Sequence, residues 1–255
     1  MRARLTWTRR LVAHLALCQG RVGRNGVGAR GGESYGMRYK VLLFDLDGTL
    51  TDPREGITRC VQYALACQGV RVDDLTRLEC YIGPPLEQAF MRFHGFDEAA
   101  ATQAVADYRV RFEDVGMYEN AVYDGIIDLL GALQSGGRRL FVATSKPWFY
   151  ARRIVSHFRL DPFFYQVYGS ELDGRRTDKR ALIAHILREE HLAAGDTLMI
   201  GDRSYDLIGA RHNDLASAAV GYGYGSEDEL RAESPDYFFA TIDAMRDALL
   251  ADVAT

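Results

Sequence analysis

Lysine is nearly absent from this chain. It has three, Lys40, Lys146 and Lys179, and arginine supplies almost all the other positive charge. A compact ammonium is not interchangeable with a guanidinium fork at a crowded anion site, so each retained lysine is informative. Cysteine is scarce as well. Cys18, Cys60, Cys67 and Cys80 show no metal-ligand spacing and make no disulfide framework in 255 residues. Cys60 and Cys67, seven apart, share one face of an expected helix. No apolar run reaches the roughly 18 residues that span a bilayer. With nothing arguing for an oxidising compartment, a cytoplasmic protein without a membrane partner is expected. Basic charge is also missing beyond the first 36 residues. The formal net charge is −4, yet residues 1–36 hold seven arginines against Glu33 alone, so the remainder carries ten more acids than bases. A body that acidic is a poor partner for a nucleic-acid polymer. A small phosphate is still possible, because one lysine and a metal can set the local field.

What is present begins at Leu43-Phe44-Asp45-Leu46-Asp47-Gly48-Thr49-Leu50, an apolar strand that ends in two aspartates and a glycine turn. A buried carboxylate is costly unless a cation or a reactive ligand accompanies it. Asp45 and Asp47, at i and i+2, point to the same side of a strand. Held so close, one would have a raised pKa unless a metal compensated. The plainer alternative is an Asp-Gly turn or a helix cap. Further along, Phe141-Val142-Ala143-Thr144-Ser145 is a second apolar strand ending in hydroxyls. Lys179 opens a helix after Arg176-Thr177-Asp178. Leu198-Met199-Ile200-Gly201-Asp202 is a third strand tip, with Asp206 four residues on.

From Tyr39 onward strands and helices alternate. Strands are expected at 40–45, 139–144, 163–168, 197–201 and about 216–220, and helices at 125–135, 147–158, 179–190 and 204–212. That rhythm predicts an α/β fold with a Rossmann-like, doubly wound parallel sheet. Ligands of such sheets lie beyond the carboxyl ends of the strands, where Asp45, Asp47, Thr144 and Asp202 all fall. Residues 53–122 break the rhythm. They read as helices at 55–69, 73–80, 85–94 and 97–115 without a convincing strand, which is more chain than a crossover needs. The expected division is a core of 37–52 and 123–255 with an inserted α-helical cap domain of 53–122, hinged near Thr51–Arg54 and Ala121–Gly125. Residues 1–36, rich in Arg and Gly, are set apart as a mis-assigned start before Met37, a disordered tail or a targeting segment.

The Asp45–Thr49 run resembles the Asp-x-Asp-Gly-Thr signature of the haloacid dehalogenase-like superfamily, and the Thr144, Lys179 and Asp202/Asp206 pieces follow in its order, over about residues 39–250. The resemblance implies a phosphatase that works through an aspartyl phosphate. Asp45 would be the nucleophile, and Asp47 the acid that protonates the leaving oxygen and later the base for water. Relatives that act on haloacids lack that second aspartate. Thr144 and Ser145 would meet the phosphoryl oxygens, and Lys179 would neutralise them. By the same resemblance Mg²⁺ would bind the carboxylates of Asp45 and Asp202 and the main-chain carbonyl of Asp47, with Asp206 close by. For Asp202 and Asp206 the alternative is a pair of helix N-terminal acids.

Phosphonate-cleaving relatives depend on a cap lysine, and none lies between Pro53 and Tyr123. Tyr81-Ile82-Gly83-Pro84-Pro85-Leu86 resembles the specificity loop of phosphoglycolate-phosphatase-like and 5′-nucleotidase-like members, which makes Gly83 a substrate contact; as a stiff helix start it needs no function. Arg54, Arg92 and Tyr81 are further candidates to face the leaving group. Tyr222-Gly223-Tyr224-Gly225, after the last expected strand, reads as a turn with aromatic packing. The expected substrate is a small phosphorylated metabolite, a nucleoside 5′-monophosphate or a phosphoglycolate-like compound, handled by a monomer or homodimer. A sugar phosphomutase using the same nucleophile is the enzymatic alternative, and a non-catalytic regulator binding a phosphorylated ligand is the alternative of another class.

Overall fold

In the computed structural model, which describes residues 39–251, the chain lays down one six-stranded sheet. Its strands are β1 (Val41–Phe44), β4 (Arg139–Pro147), β5 (Gln166–Ser170), β6 (Thr197–Gly201), β7 (Ala216–Val220) and β8 (Tyr237–Phe239). Between them run α4 (Ile126–Ser135), α5 (Trp148–His157), α6 (Lys179–Glu189), α7 (Ser204–His212) and α8 (Glu227–Ala232), and α9 (Ile242–Leu250) follows the last strand. All neighbouring strands are parallel, in the order β5-β4-β1-β6-β7-β8. The chain builds outward from β1 through β4 to β5, then crosses back to β6 and continues the other way. The crevice where that direction reverses lies at β1, between β4 and β6, which is where doubly wound sheets hold their ligands.

Period-two alternation decides which side each strand residue faces. Leu42 and Phe44 pack with Leu140, Val142, Leu198 and Ile200 against residues of α4, α5 and α9. Val41 and Leu43 pack with Phe141, Ala143 and Met199 against Leu182, Ile183 and Ile186 of α6. With both faces covered, the strands can be apolar throughout, so they read as continuous runs. Each fully buried Leu, Ile or Phe contributes about 1.5–3 kcal/mol.

The segment between the first and second long strands is helical, as expected. It comprises α1 (Arg54–Cys67), a 3₁₀ stretch at Leu75–Tyr81, α2 (Leu86–His94), α3 (Glu98–Arg111) and a π turn at Phe112–Gly116. Where an unbroken helix was expected over 97–115, the hydrogen-bond pattern widens at Phe112. The expected hinges pair with each other: β2 (Thr51–Asp52) and β3 (Ala121–Val122) form an antiparallel ribbon that closes the neck of the helical segment. These two-residue strands are too short to show a periodic pattern, and the expectation of no strand before residue 122 is corrected at that point. The strand expected at 163–168 starts three residues later, because Asp161–Phe163 is a 3₁₀ turn. Residues 216–220 are not the last core strand, since β8 adds an edge beyond them. Cys60 is buried and Cys67 exposed at the helix end, so they do not share an environment. Among the described residues no helix is long and apolar enough to cross a membrane. The segment 1–36 lies outside the described residues.

Candidate active site

The parallel register sets the ends of β4, β1 and β6 side by side. Asp45, Thr144 and Asp202, separated by up to 157 positions in sequence, therefore meet at one edge of the sheet. The Asp45 carboxylate is anchored by Oδ1 alone, which accepts from the Leu46 N–H at 2.8 Å and lies 3.2 Å from Lys179 Nζ. Its Oδ2 takes no hydrogen bond among the described residues. An ionised carboxylate with one oxygen held and the other presented to a cavity is a competent nucleophile.

Lys179 begins α6, which Asp178 caps by accepting from the Arg180 N–H. Its ammonium donates to the Ala143 carbonyl at 2.7 Å and stands 2.7 Å from Asp206 Oδ1 as well as near Asp45. Burial alone would push this lysine down, but the Asp206 and Asp45 carboxylates together hold it above the ordinary lysine range. Asp202 is fully buried, with the Tyr224 N–H donating to Oδ2 at 2.8 Å and the Thr49 hydroxyl donating to Oδ1 at 3.2 Å. Burial and then the Asp206 and Asp45 charges raise its pKa well above the carboxylate norm. Asp206 is pushed up to about 6, by burial first, with Lys179 opposing and Asp45 adding to the rise. Its Oδ2 also accepts the Arg203 N–H at the start of α7, as a helix N-terminal acid does.

Carboxylate oxygens of Asp45, Asp202 and Asp206 lie within 4.8 Å of one another, all buried. Three converging carboxylates with a single lysine among them leave net negative charge in the interior, which a hard divalent cation would balance. Gly48, at φ 82°, stands so close that a Cβ there would overlap the Asp202 carboxylate. The oxygen-only donor set fits Mg²⁺.

Asp47 belongs to a different contact. Its carboxylate is outside the three-acid cluster, and Oδ2 pairs with Lys146 Nζ at 2.8 Å while Oδ1 is buried without a hydrogen bond. Burial raises its pKa, Lys146 opposes the rise and Asp45 adds to it. A carboxyl that holds its proton more readily than usual suits an acid.

Above these residues lies a cavity of about 420 Å³, within the range of small-ligand sites. Asp45, Asp47, Thr144, Ser145 and Lys146 line its floor, and Gly83, Pro84, Pro85, Tyr108 and Phe112 of the helical segment line its roof. Gly83, at φ 103°, is therefore part of the cavity lining. Tyr81 lines the cavity too, but its hydroxyl is tied to His94 Nδ1 at 2.6 Å. Arg54 and Arg92 are not part of the lining. Arg54 pairs with Glu79 at 3.4 Å, and Arg92 lies over Phe93.

Several participants escaped the sequence reading. The Tyr222–Gly225 turn does more than pack its rings: Tyr222 donates to the Thr49 carbonyl, Tyr224 to Asp52, and the turn's backbone grips Asp202. Arg203 bridges Glu229 and the Ile82 carbonyl of the helical segment. The repeated Gly-Tyr pattern was the one available signal for the turn, and nothing local marks Arg203.

Residues 42–220 match the family described as haloacid dehalogenase-like hydrolase. The chain belongs to that family. It is an enzyme, a phosphatase-type hydrolase. It is 58% identical over 213 residues to a 5′-nucleotidase of Pseudomonas aeruginosa, covering 84% of this chain and 96% of the relative. It is 37% identical over 222 residues to the tyrosine-protein kinase PtkA of Mycobacterium tuberculosis, covering 86% of this chain and 76% of that one. Among solved structures, a predicted phosphatase from Clostridium acetobutylicum superposes with a TM-score of 0.82 at 43% identity, over 84% of this chain and all of the other.

Proposed function

We propose that this enzyme hydrolyses small phosphate monoesters, with nucleoside 5′-monophosphates as the favoured class, through an aspartyl phosphate on Asp45. The reading is carried by one observation. Asp45 lines a partly open cavity with its Oδ2 free of hydrogen bonds among the described residues, while the other oxygen is held by Lys179 and the Leu46 N–H. In this reading residues 37–52 and 123–255 form the catalytic core, and residues 53–122 form a cap that chooses the leaving group and excludes water.

Asp45 Oδ2 attacks phosphorus, and the bond to the ester oxygen breaks as that oxygen takes the proton of Asp47. Water then attacks the phosphoryl group, giving a proton to Asp47, and inorganic phosphate leaves with Asp45 restored. The Thr144 hydroxyl, whose oxygen accepts the Lys146 N–H at 3.2 Å, keeps its proton free for a phosphoryl oxygen. Ser145 lies beside it, and the Lys179 ammonium offsets charge on the transferring group. The carboxylates of Asp45, Asp202 and Asp206 and the carbonyl of Asp47 would hold Mg²⁺, which would supply charge neutralisation and alignment of the phosphoryl group.

The rest of the cavity supports an uncharged leaving group. Its cations are Lys146, engaged with Asp47, and Arg109, which bonds the Leu172 carbonyl; Glu87, Glu171 and Asp173 face the same space. Glu171 and Asp173 are themselves paired with Arg176 and Arg175, which leaves Glu87 and Arg109 to offset one another, so the lining offers no net positive charge to a second phosphate or a carboxylate. Aromatic and aliphatic lining from Tyr108, Phe112, Tyr150 and Val105 suits a nucleoside. The relative named a tyrosine kinase motivates a second reading, delivery of the phosphoryl group to a protein hydroxyl. Phosphate release from a metabolite panel with and without Mg²⁺ separates them. Turnover of nucleoside monophosphates without an acceptor protein, lost in Asp45→Asn, supports hydrolysis; release that appears only with an acceptor, or that survives Asp45→Asn, overturns it.

A further inference from the structure

We propose that Lys146 is a positioning residue for Asp47, and that the helical segment keeps it in place through Phe112. The inference rests on the reading of Asp47 as the group that protonates the leaving oxygen.

It starts from an irregularity in β4. The register against β5 shifts between Ala143 and Pro147. In a regular strand successive side chains alternate between faces. Here Thr144, Ser145 and Lys146 all line one cavity, as a local break in register allows. The consequence is a lysine turned inward, with its side chain only 8% exposed and its ammonium 2.8 Å from Asp47 Oδ2. The same ammonium lies 4.5 Å from the centroid of the Phe112 ring. That ring is fixed in turn, stacked on Tyr108 at 5.2 Å and edge-on to Tyr150 at 5.4 Å, and it opens the π turn at the end of α3. Single π turns inside helices recur at functional sites.

Three consequences follow from this geometry. With Oδ2 occupied by Lys146, Asp47, which lines the cavity, has one oxygen left, the buried Oδ1 that makes no hydrogen bond. The proton of Asp47 is therefore directed along a single line. Rotation of the carboxyl away from that line would strand a buried ammonium, which is strongly unfavourable. Finally, a lysine on a four-carbon stem is not rigid by itself. The Phe112 face supplies the second contact, a cation–π attraction that strengthens when water is excluded. Lys146 and Asp47 belong to the sheet and Phe112 to the helical segment, so the acid is aligned only while that segment is seated.

The test is the dependence of turnover on leaving-group acidity. A poor leaving group such as an alkyl alkoxide needs the proton, whereas p-nitrophenolate does not, so loss of aligned acid catalysis shows as a selective loss on alkyl phosphates. The full-length protein with Mg²⁺ is assayed for kcat and KM on a series from p-nitrophenyl to alkyl phosphates, as wild type, Asp47→Asn, Lys146→Met and Phe112→Leu. General acid catalysis is worth about 10²–10⁴-fold. Asp47→Asn is expected to lose that much on alkyl esters and far less on p-nitrophenyl phosphate. Lys146→Met and Phe112→Leu are expected to share the bias at roughly 10–100-fold, mostly in kcat. A uniform rise in KM for Lys146→Met would make Lys146 a phosphate ligand and overturn the proposal. So would a Phe112→Leu variant with the wild-type bias. Absence of bias in Asp47→Asn would overturn the underlying reading of Asp47 and this inference with it. Bias in Asp47→Asn alone would overturn only this inference.

Discussion

Replacing Asp202 by asparagine should stabilise the metal-free protein while destroying its use of Mg²⁺. The amide fits the site: its oxygen can accept the Tyr224 N–H, and its NH₂ can donate to the Thr49 hydroxyl in place of the present contacts. What disappears is one negative charge from a buried cluster whose oxygens lie within 4.8 Å of one another. At an effective dielectric of about 20, two like charges at that distance repel by about 3–4 kcal/mol. Asp202 faces two carboxylates, and Lys179 offsets one of them, so about that much is relieved. For a domain of this size the melting temperature should rise by roughly 6–16 °C. The sign depends on pH. Burial and the neighbouring acids raise the folded pKa of Asp202 above its unfolded value. Such a carboxyl binds its proton more tightly when folded, so stability is present in acid and lost as pH rises through the folded pKa. The advantage of asparagine should be small at pH 4.5 and full at pH 9. Thermal unfolding by circular dichroism in EDTA at both pH values measures it. Added Mg²⁺ should then raise the melting temperature of the wild type and leave Asp202→Asn unmoved. An asparagine variant that melts below the wild type in EDTA at pH 9, or that gains as much from Mg²⁺, would refute the charge argument.

Other expectations test separate parts of the site. Lys179→Met removes the partner of two buried carboxylates and of the Ala143 carbonyl. It should cost about 3–5 kcal/mol in metal-free urea unfolding, with Mg²⁺ recovering part of the loss. Asp206, pushed up to about 6, makes the metal-free wild type more stable at pH 5 than at pH 8 by about 1.4 kcal/mol; saturating Mg²⁺ should flatten that slope in denaturant titrations. Gly83→Ala places a Cβ 2.8 Å from the Arg203 guanidinium on backbone at φ 103°. It should raise KM for nucleoside monophosphates more than it lowers kcat, measured by phosphate release. Arg203→Ala, which severs the Glu229 and Ile82 contacts, should cost about 1.5–3 kcal/mol and shift KM in the same direction.

Much of this protein is decided by local pattern. Apolar runs ending in Asp45, Thr144 and Asp202 specified strands buried on both faces and the residues at their tips, because a parallel sheet demands continuous hydrophobic strands and leaves function to their ends. The helical character of residues 53–122 was equally legible, since amphipathic periodicity does not depend on what lies opposite. Only the tertiary structure could say that β4 and β6 flank β1, because strand order is a long-range pairing that no window of sequence contains. It alone brings Asp202 and Asp206 against Asp45, ties the Tyr222–Gly225 turn to the first loop, and sets Arg203 against Ile82. It also decides the role of Lys146, where a break in strand register turns the side chain inward onto Asp47 and beneath a ring thirty-four positions away in the chain.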